Sequence, residues 1–247
     1  MLVHEVARAH DLGSGLALKE PMQSFSIEVS GRTVPGVYWL PNGAVRGVLL
    51  ACHGGSGHKL SGAITAIVEE ALPKGFAVVA IDGPVQGERR SDGLLDKVSA
   101  ITSFRQAWKE GVGRLTMAED MTAALDYVIA LEQLGGKPAC YIGVSMGTAY
   151  GIPLLAGSDR FAAAVIGLWS CGHVASEHLA GYANQISVPV CFTMQWEDEV
   201  FNRQSTIELY EAIGSTNKRL VAYPGPHREL DAQRLKESIA FLAQYLA

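Results

Sequence analysis

The stretch that constrains this chain most is 139–151, ACYIGVSMGTAYG, in which an apolar run leads into a Gly-x-Ser-x-Gly pentad. The run is long enough for a buried strand, and the small residues after the pentad favour a helix. This order predicts a strand, a sharp turn and a helix, with Ser145 at the turn. Side chains at Gly143 or Gly147 would collide with the turn or with the neighbouring strand. Because the chain holds 27 glycines, the pentad alone is weak evidence, and a reactive serine also needs partners elsewhere.

Length and composition limit the classes of protein to consider. The chain has 247 residues, of which 48% are hydrophobic and 18% charged, so it can bury about three-quarters of its unfolded surface as one domain. A net charge of -5 provides no basic surface for nucleic acid or an anionic membrane, and a small neutral or cationic ligand fits better. The opening residues lack a signal-peptide pattern, and no apolar run approaches the ~20 residues of a membrane span. We expect a cytoplasmic protein whose four cysteines are buried free thiols.

Hydrophobic patterns alternate between the two kinds of secondary structure. Apolar runs predict strands, helical spacing predicts helices, and alternation around Ser30-Gly31 predicts an opening hairpin. The predicted strands are 45–52, 76–81, 139–142, 162–169, 188–194 and 220–223, and the predicted helices are 61–74, 203–213, 229–246 and one that begins at Thr116. This alternation predicts the α/β class, with a mostly parallel central sheet covered by helices on both faces.

Two segments, 86–115 and 171–186, and the helix that contains Pro153 depart from regular patterns. Residues 86–115 are the least regular stretch and could form a small cap or lid within the single domain 1–247. Thr116-x-x-Glu119 has the spacing of a capping box, which predicts a helix start at that point. Pro153 lies inside the helix expected after the serine and should kink or shorten it. Residues 171–186 are expected to form a short irregular insertion.

The reactive groups of an open α/β sheet gather beyond the carboxyl ends of its strands. A serine hydroxyl needs a base to take its proton, and that base needs an acceptor to hold its other nitrogen. We predict Ser145 as nucleophile and His227, in a proline-rich loop after the last strand, as base. Asp198 is the predicted acid because it stands four residues after an apolar run ends, where a turn can aim a carboxylate at a neighbouring loop. Glu197 and Glu199 compete with it by sequence.

An oxyanion formed at the serine would need two backbone N–H donors. Met146, which directly follows Ser145 at the start of a helix, supplies one of them. Gly55, in the glycine-rich loop after strand 45–52, is the predicted second donor, with Gly54 as the alternative. His53, in the same loop, is expected to be structural.

Four aromatic residues near predicted strand ends or in the lid region are candidates for an apolar substrate pocket, and each could equally be plain core. They are Phe104, Trp108, Trp169 and Trp196. His173 and His178 raise the question of a metal, but no carboxylate or cysteine is suitably spaced beside them. We therefore expect neither metal nor cofactor.

The ordered set of motifs resembles the α/β-hydrolase superfamily from about Gly36 to the end of the chain. The motifs are His53-Gly54-Gly55, Asp82-Gly83-Pro84 with Gly87-Glu88-Arg89, Gly143-Val144-Ser145-Met146-Gly147, Glu197-Asp198 and Pro226-His227. The likeness is greatest to the dienelactone-hydrolase-like and small serine-esterase branch. Dienelactone hydrolases proper use a cysteine nucleophile where this chain has Ser145, so the lactone substrate is not carried over. Relatives commonly have Pro-Gly-His-Gly where this chain has Pro84-Val85-Gln86-Gly87.

The predicted function is a serine hydrolase that cleaves a small-molecule carboxylic ester or related acyl bond through an acyl-enzyme intermediate. The same residues would support hydrolysis of a thioester, lactone, peptide or carbon-carbon bond, because the fold and the triad do not fix the substrate. A third alternative is a non-catalytic binding protein with this fold. Such proteins typically lose a triad residue, and none is lost here. The oligomeric state is left open.

Overall fold

One eight-stranded sheet organises the computed structural model, which describes residues 21–246. The polar opening segment 1–20 and the last residue lie outside the described part of the chain. In the sheet the strands lie in the order β1-β2-β4-β3-β5-β6-β7-β8. Their bounds are β1 Met22–Val29, β2 Arg32–Trp39, β3 Gly47–Cys52, β4 Phe76–Ile81, β5 Ala139–Val144, β6 Phe161–Gly167, β7 Val190–Gln195 and β8 Lys218–Tyr223.

The strand directions follow the predicted pattern. Strands β3 to β8 pair in parallel, whereas β1 and β2 form an antiparallel hairpin that joins the sheet along β4. Ser30 and Gly31 form the hairpin turn with positive φ angles of 49° and 77°, which glycine adopts at little cost. The mostly parallel sheet and the opening hairpin are both confirmed.

Helices cover both faces of the sheet. The helices are α1 Gly62–Ala71, α2 Lys97–Glu110, α3 Thr116–Ile129, α4 Met146–Ala156, α5 Leu179–Ala183, α6 Arg203–Ala212 and α7 Ala232–Leu242. Alternate residues of β3 show the two covered faces directly, since Leu50 packs in one core with α2, α3, α4 and α6 and Leu49 in a second core with α1 and α7. Among residues 21–246, no helix has the length and apolar character needed to cross a bilayer.

The region 86–115 is more regular than its sequence suggests. A short 3-10 helix, Gly87–Arg89, is followed by the 14-residue helix α2. Asp96 caps α2 by accepting a hydrogen bond from the backbone N–H of Ser99 at 2.9 Å, and Gly111 ends it with a φ of 84°. Phe104 and Trp108, four residues apart, lie on the buried face of this helix.

Two local predictions need correction. The predicted helix start at Thr116 is confirmed, but the capping box is wrong: Thr116 is the first helical residue and not the cap, and Glu119 forms an ion pair with Arg32. Pro153 neither breaks nor closely limits α4, which continues to Ala156. Because proline has no N–H, the carbonyl of Ala149, four residues earlier, lacks its usual helical donor at that position. The insertion 171–186 also contains the short helix α5.

Candidate active site

The turn between β5 and α4 places Ser145 in a strained backbone conformation. Its φ of 57° and ψ of -120° are unusual for any residue with a side chain. The backbone N–H of Ser145 donates to the carbonyl oxygen of Gly167 at 2.9 Å, which anchors the turn to β6. The predicted strand, sharp turn and helix are confirmed, and the serine side chain is partly exposed at the carboxyl edge of the sheet.

The glycines of the pentad have the steric role expected of them. A Cβ atom at Gly143 would lie 2.6 Å from the hydroxyl oxygen of Tyr141, and one at Gly147 would lie 2.9 Å from the carbonyl oxygen of Cys52. Tyr141 itself donates to the carbonyl of Gly147 at 2.6 Å. Side chains at either position would therefore displace the turn from the strands that hold it.

Thr148, in the first turn of α4, ties the turn to both neighbouring strands. Its buried hydroxyl lies 3.0 Å from the carbonyl oxygen of Gly143 and 2.5 Å from that of Gly167, and it accepts the Gly167 N–H at 2.6 Å. No sequence motif pointed to this residue. Through these bonds to β5 and β6, Thr148 fixes the position of the turn that carries Ser145.

The structure brings the three residues predicted for catalysis into one hydrogen-bonded line. The hydroxyl oxygen of Ser145 lies 3.3 Å from Nε2 of His227, and Nδ1 of His227 lies 2.8 Å from Oδ2 of Asp198. A carboxylate can only accept, so Nδ1 carries the proton and Nε2 is left free to accept from the serine. These residues come from three loops, after β5, β7 and β8, at the same edge of the sheet.

Asp198 is held as an anion. Burial alone would raise its pKa, but hydrogen bonds from His227 and from the backbone N–H of Phe201 outweigh it and hold the pKa below its ordinary value. The second carboxylate oxygen accepts the N–H groups of Val200 and Phe201, each at 2.9 Å. Both oxygens of the carboxylate are thus fixed in place.

The two glutamates that compete with Asp198 by sequence bind backbone atoms of the histidine loop. Glu197 accepts the N–H of Gly225, and Glu199 accepts the N–H of His227 at 2.8 Å. Of these three carboxylates, only that of Asp198 is hydrogen-bonded to the imidazole ring of His227. The sequence could not separate the three, because their difference lies in where each side chain points.

The glycine-rich loop lies beside the elbow, at the carboxyl end of β3. The N–H of Met146 belongs to the first turn of α4, where no intrahelical acceptor is available. His53 accepts the Gly83 N–H at Nε2, 3.0 Å away, and its Nδ1 lies 2.8 Å from the Gly54 carbonyl. Burial lowers the pKa of His53, so the ring is neutral and donates from Nδ1. His53 therefore holds the loop in place, as expected.

A buried ion pair fixes the far end of the same loop. Lys59 places its ammonium 2.6 Å from the carboxylate of Asp82 and donates its backbone N–H to that carboxylate at 2.9 Å. Glu88 adds a second carboxylate to Lys59 at 2.7 Å. Gly87, in the turn after β4, has a φ of 53°, and its lack of a side chain leaves room for the carboxylate of Asp82. The Asp82 and Gly-Glu-Arg motifs are therefore structural supports of the loop.

Comparisons with known proteins now bear on this geometry. No family model and no curated protein matches the chain. A solved structure of a polyethylene-glycol-bound, cold-adapted esterase from an Arctic intertidal metagenomic library is 34% identical, with a TM-score of 0.83, and the match covers 97% of this chain and 100% of that one. The chain belongs to the α/β-hydrolase superfamily.

More distant structures share the fold of this α/β-hydrolase. A 2,6-dihydroxy-pseudo-oxynicotine hydrolase is 19% identical with a TM-score of 0.73, covering 93% of this chain and 69% of that one. A dienelactone hydrolase from Anabaena variabilis is 18% identical with a TM-score of 0.66, covering 92% and 97%. At these identities both structures show the fold alone. The predicted membership of the α/β-hydrolase superfamily is confirmed by the relative at 34% identity, which is itself named an esterase.

Three of the four aromatic candidates of the hydrolase lie together. Phe104, Trp108 and Trp169 are buried, with ring centroids 5.3 to 6.2 Å apart. Trp196 is instead 42% exposed, and the guanidinium of Arg203 covers its ring at 4.2 Å. Trp196 thus lies on the surface, on the loop that carries Asp198.

Phe201 links the aromatic cluster to His227, and no sequence motif pointed to this residue. Its ring centroid lies 4.7 Å from that of Trp169 and 5.2 Å from that of His227. At the other end of the cluster, Phe104 approaches the glycine-rich loop, since a Cβ atom on Gly55 would lie 2.7 Å from its ring. An apolar surface therefore runs from the glycine loop to the histidine loop.

The insertion after β6 is attached to this aromatic cluster by one buried hydroxyl. Ser176 accepts the indole N–H groups of both Trp108 and Trp169, each at 3.2 Å. His173 packs edge-on against Trp169 at 4.9 Å, and His178 lies 5.9 Å from Trp108. Burial lowers the pKa of both histidines. Across residues 21–246, no group of three or more His, Cys, Asp or Glu side chains is placed so that it could hold a metal ion.

Proposed function

We propose that this α/β-hydrolase cleaves carboxylic esters of small molecules through a covalent acyl-enzyme, with Ser145 as nucleophile, His227 as base and Asp198 as its orienting anion. One observation carries the proposal: the unbroken line from the serine hydroxyl at 3.3 Å to His227 and from His227 at 2.8 Å to Asp198. Esters are preferred to thioesters, lactones, peptides or carbon-carbon bonds because the relative at 34% identity is described as an esterase.

In the proposed reaction the Ser145 hydroxyl oxygen attacks the ester carbonyl carbon while its proton passes to Nε2 of His227. The tetrahedral intermediate collapses when the imidazolium returns that proton to the departing alcohol oxygen, leaving the acyl group on the serine. Water then repeats both steps in the same sense and releases the carboxylic acid. Asp198 stabilises the imidazolium and keeps the ring oriented, and its lowered pKa keeps it ionised throughout.

The oxyanion of the intermediate would be bound by the N–H groups of Met146 and Gly55. Met146 offers a free N–H at the positive end of α4, directly beside the nucleophile. Gly55 is favoured over Gly54 as the second donor because its N–H shares a trans peptide with the Gly54 carbonyl. That carbonyl points into the loop to accept the N–H of Gly57, so the N–H of Gly55 points the opposite way. Loss of one such donor costs about 3 kcal/mol of barrier in comparable sites.

Helix α2 is the proposed cap, and its buried rings are the proposed apolar wall of the substrate site. Phe104 and Trp108 project from α2 onto Trp169, while Phe201 continues this wall to His227. Trp196, which is exposed beside the acid loop, would contact a substrate only at the rim. The cap within 86–115, the cytoplasmic location and the lack of nucleic-acid partners stay predictions.

The test is hydrolysis of a matched chromogenic panel of ester, thioester, lactone and anilide substrates by wild type and Ser145→Ala. We expect ester turnover with a burst of released alcohol, and no turnover above background in the variant. Ester activity above a few per cent of wild type in Ser145→Ala would overturn the assignment. Faster turnover of another acyl group than of the ester would overturn the substrate class while leaving the nucleophile in place.

A further inference from the structure

The loop that carries His227 has very few backbone donors of its own. It reads Pro224-Gly225-Pro226-His227, and proline has no N–H group. Gly225 and His227 therefore supply the only two amide donors in these four residues. Both are bonded to carboxylates, Gly225 to Glu197 and His227 to Glu199.

The three carboxylates come from consecutive residues after β7. Glu197 and Glu199 hold the backbone of the loop on either side of Pro226, and Asp198 holds the ring of His227. The backbone continues this attachment, since the N–H of Glu197 donates back to the Gly225 carbonyl at 3.2 Å. The bond from His227 is also the largest cause of the lowered pKa of Glu199, so Glu199 stays ionised at neutral pH.

We propose that Glu199 and Glu197 are positioning residues for the catalytic histidine, with Glu199 the more important because it bonds the backbone of His227 itself. The inference rests on the proposed function, since it assigns a purpose to the placement of that ring. The Ser145 to His227 distance of 3.3 Å leaves little margin, because a hydrogen bond weakens quickly as the loop moves outward. Both glutamates are exposed, so we expect their bonds to contribute little to global stability and to act on turnover.

The experiment compares Glu199→Ala with Glu199→Gln, and Glu197→Ala with Glu197→Gln, using steady-state ester hydrolysis and the rate of serine labelling by a fluorophosphonate. A glutamine oxygen can still accept the backbone N–H, whereas alanine cannot. We expect Glu199→Ala to lose about tenfold in kcat with KM nearly unchanged, because a misplaced base slows chemistry more than binding. Glu199→Gln should recover to within about threefold of wild type. Glu197→Ala should lose less than Glu199→Ala.

Glu132 provides the matched control, because it is exposed and precedes β5, at the opposite edge of the sheet from the site. Glu132→Ala removes the same charge and should leave kcat and the labelling rate unchanged. Circular dichroism and the thermal midpoint are measured for every variant, and we expect the Glu199 variants to match wild type.

Each outcome separates this inference from the proposed function. If wild type is labelled on Ser145 but Glu199→Ala keeps the wild-type kcat, the positioning role is wrong and the proposed function stands. If Glu199→Gln is as slow as Glu199→Ala, charge and not the hydrogen bond matters, which also overturns positioning. If wild type is not labelled at all, the proposed function fails first.

Discussion

The two sides of Ser145 are built by different means. On the elbow side, β5, the turn and α4 are fixed by backbone sterics, by the glycines of the pentad and by the buried hydroxyl of Thr148. On the histidine side, two exposed loops are fixed by carboxylates that accept backbone and ring N–H groups. One side depends on shape and the other on charge.

Substitutions on the two sides should therefore have different effects. A methyl group added at a pentad glycine has no room, and the pentad carries no charged side chain on which the elbow could depend. In the histidine loops space is available, and the loss of a carboxylate removes the support. Site variants should therefore divide into those that alter stability and activity together and those that alter activity alone.

Asp198→Asn should have the largest effect of the predicted variants on the histidine side. The amide cannot stabilise an imidazolium and can bind the wrong tautomer of His227, so we expect kcat to fall by about 10⁴-fold. The thermal midpoint should change little, since the side chain keeps its shape. Asp159→Asn, an exposed aspartate in the turn before β6, is the control and should retain wild-type kcat. A loss of only a few-fold in Asp198→Asn would contradict the assignment of the acid.

Gly147→Ala tests the elbow side and should act on both measurements. Its new Cβ would lie 2.9 Å from a backbone carbonyl oxygen of β3, which cannot move without disturbing the sheet. We expect a loss of about 1–3 kcal/mol in the free energy of unfolding and about 100-fold in kcat. Gly62→Ala, where a Cβ meets nothing within 4 Å, is the matched control for denaturant unfolding and ester turnover. An active, stable Gly147→Ala would show that the elbow is not sterically fixed.

Thr148→Val should have a smaller effect of the same mixed kind. The valine keeps the shape but leaves the buried N–H of Gly167 without its acceptor, which costs about 1–3 kcal/mol. We expect kcat to fall about tenfold as Ser145 loses its brace through β6. Thr148→Ser restores the hydroxyl and should recover most of both losses. If serine and valine behave alike, packing and not hydrogen bonding supports the elbow.

Acidification should have the smallest effect of these changes, and the effect should arise on the histidine side and not on the elbow side. Because the pKa of folded Asp198 lies below its ordinary value of 3.8, its contribution to stability is present above that pH and is lost as the pH falls through the folded pKa. Denaturant unfolding from about pH 7 down to about pH 2 should show this loss in wild type and not in Asp198→Asn. Thr148→Val, altered on the elbow side, should follow the pH dependence of wild type. An unchanged acid limb in Asp198→Asn would mean that the carboxylate is not held as an anion.

Sequence patterns predicted most of what local chemistry determines. The elbow, the succession of strands along the chain and the parallel sheet follow from apolar runs and from glycine spacing. The structure brings Ser145, Asp198 and His227 together. The predictions that failed depend on tertiary contacts. Glu119 pairs with Arg32 and so leaves the capping box unformed.

The contacts of Phe201 and of the two glutamates beside Asp198 were beyond the reach of sequence patterns. Phe201 joins the aromatic cluster to His227 only because the loops after β6, β7 and β8 meet in space. The separate roles of Glu197, Asp198 and Glu199 depend on side-chain direction, and three adjacent carboxylates look alike in a sequence. Helix α2 could have been found from its aromatic spacing, had the polar residues before it been discounted.

The most direct test of the central claim is intact-mass analysis after reaction with a fluorophosphonate probe, for wild type, Ser145→Ala and His227→Ala. The probe tests activation of the serine without knowledge of the substrate, because the serine oxygen displaces fluoride at phosphorus. We predict one adduct on wild type, none on Ser145→Ala and strongly slowed labelling of His227→Ala. An adduct that persists in Ser145→Ala, or wild-type labelling speed in His227→Ala, would contradict the account.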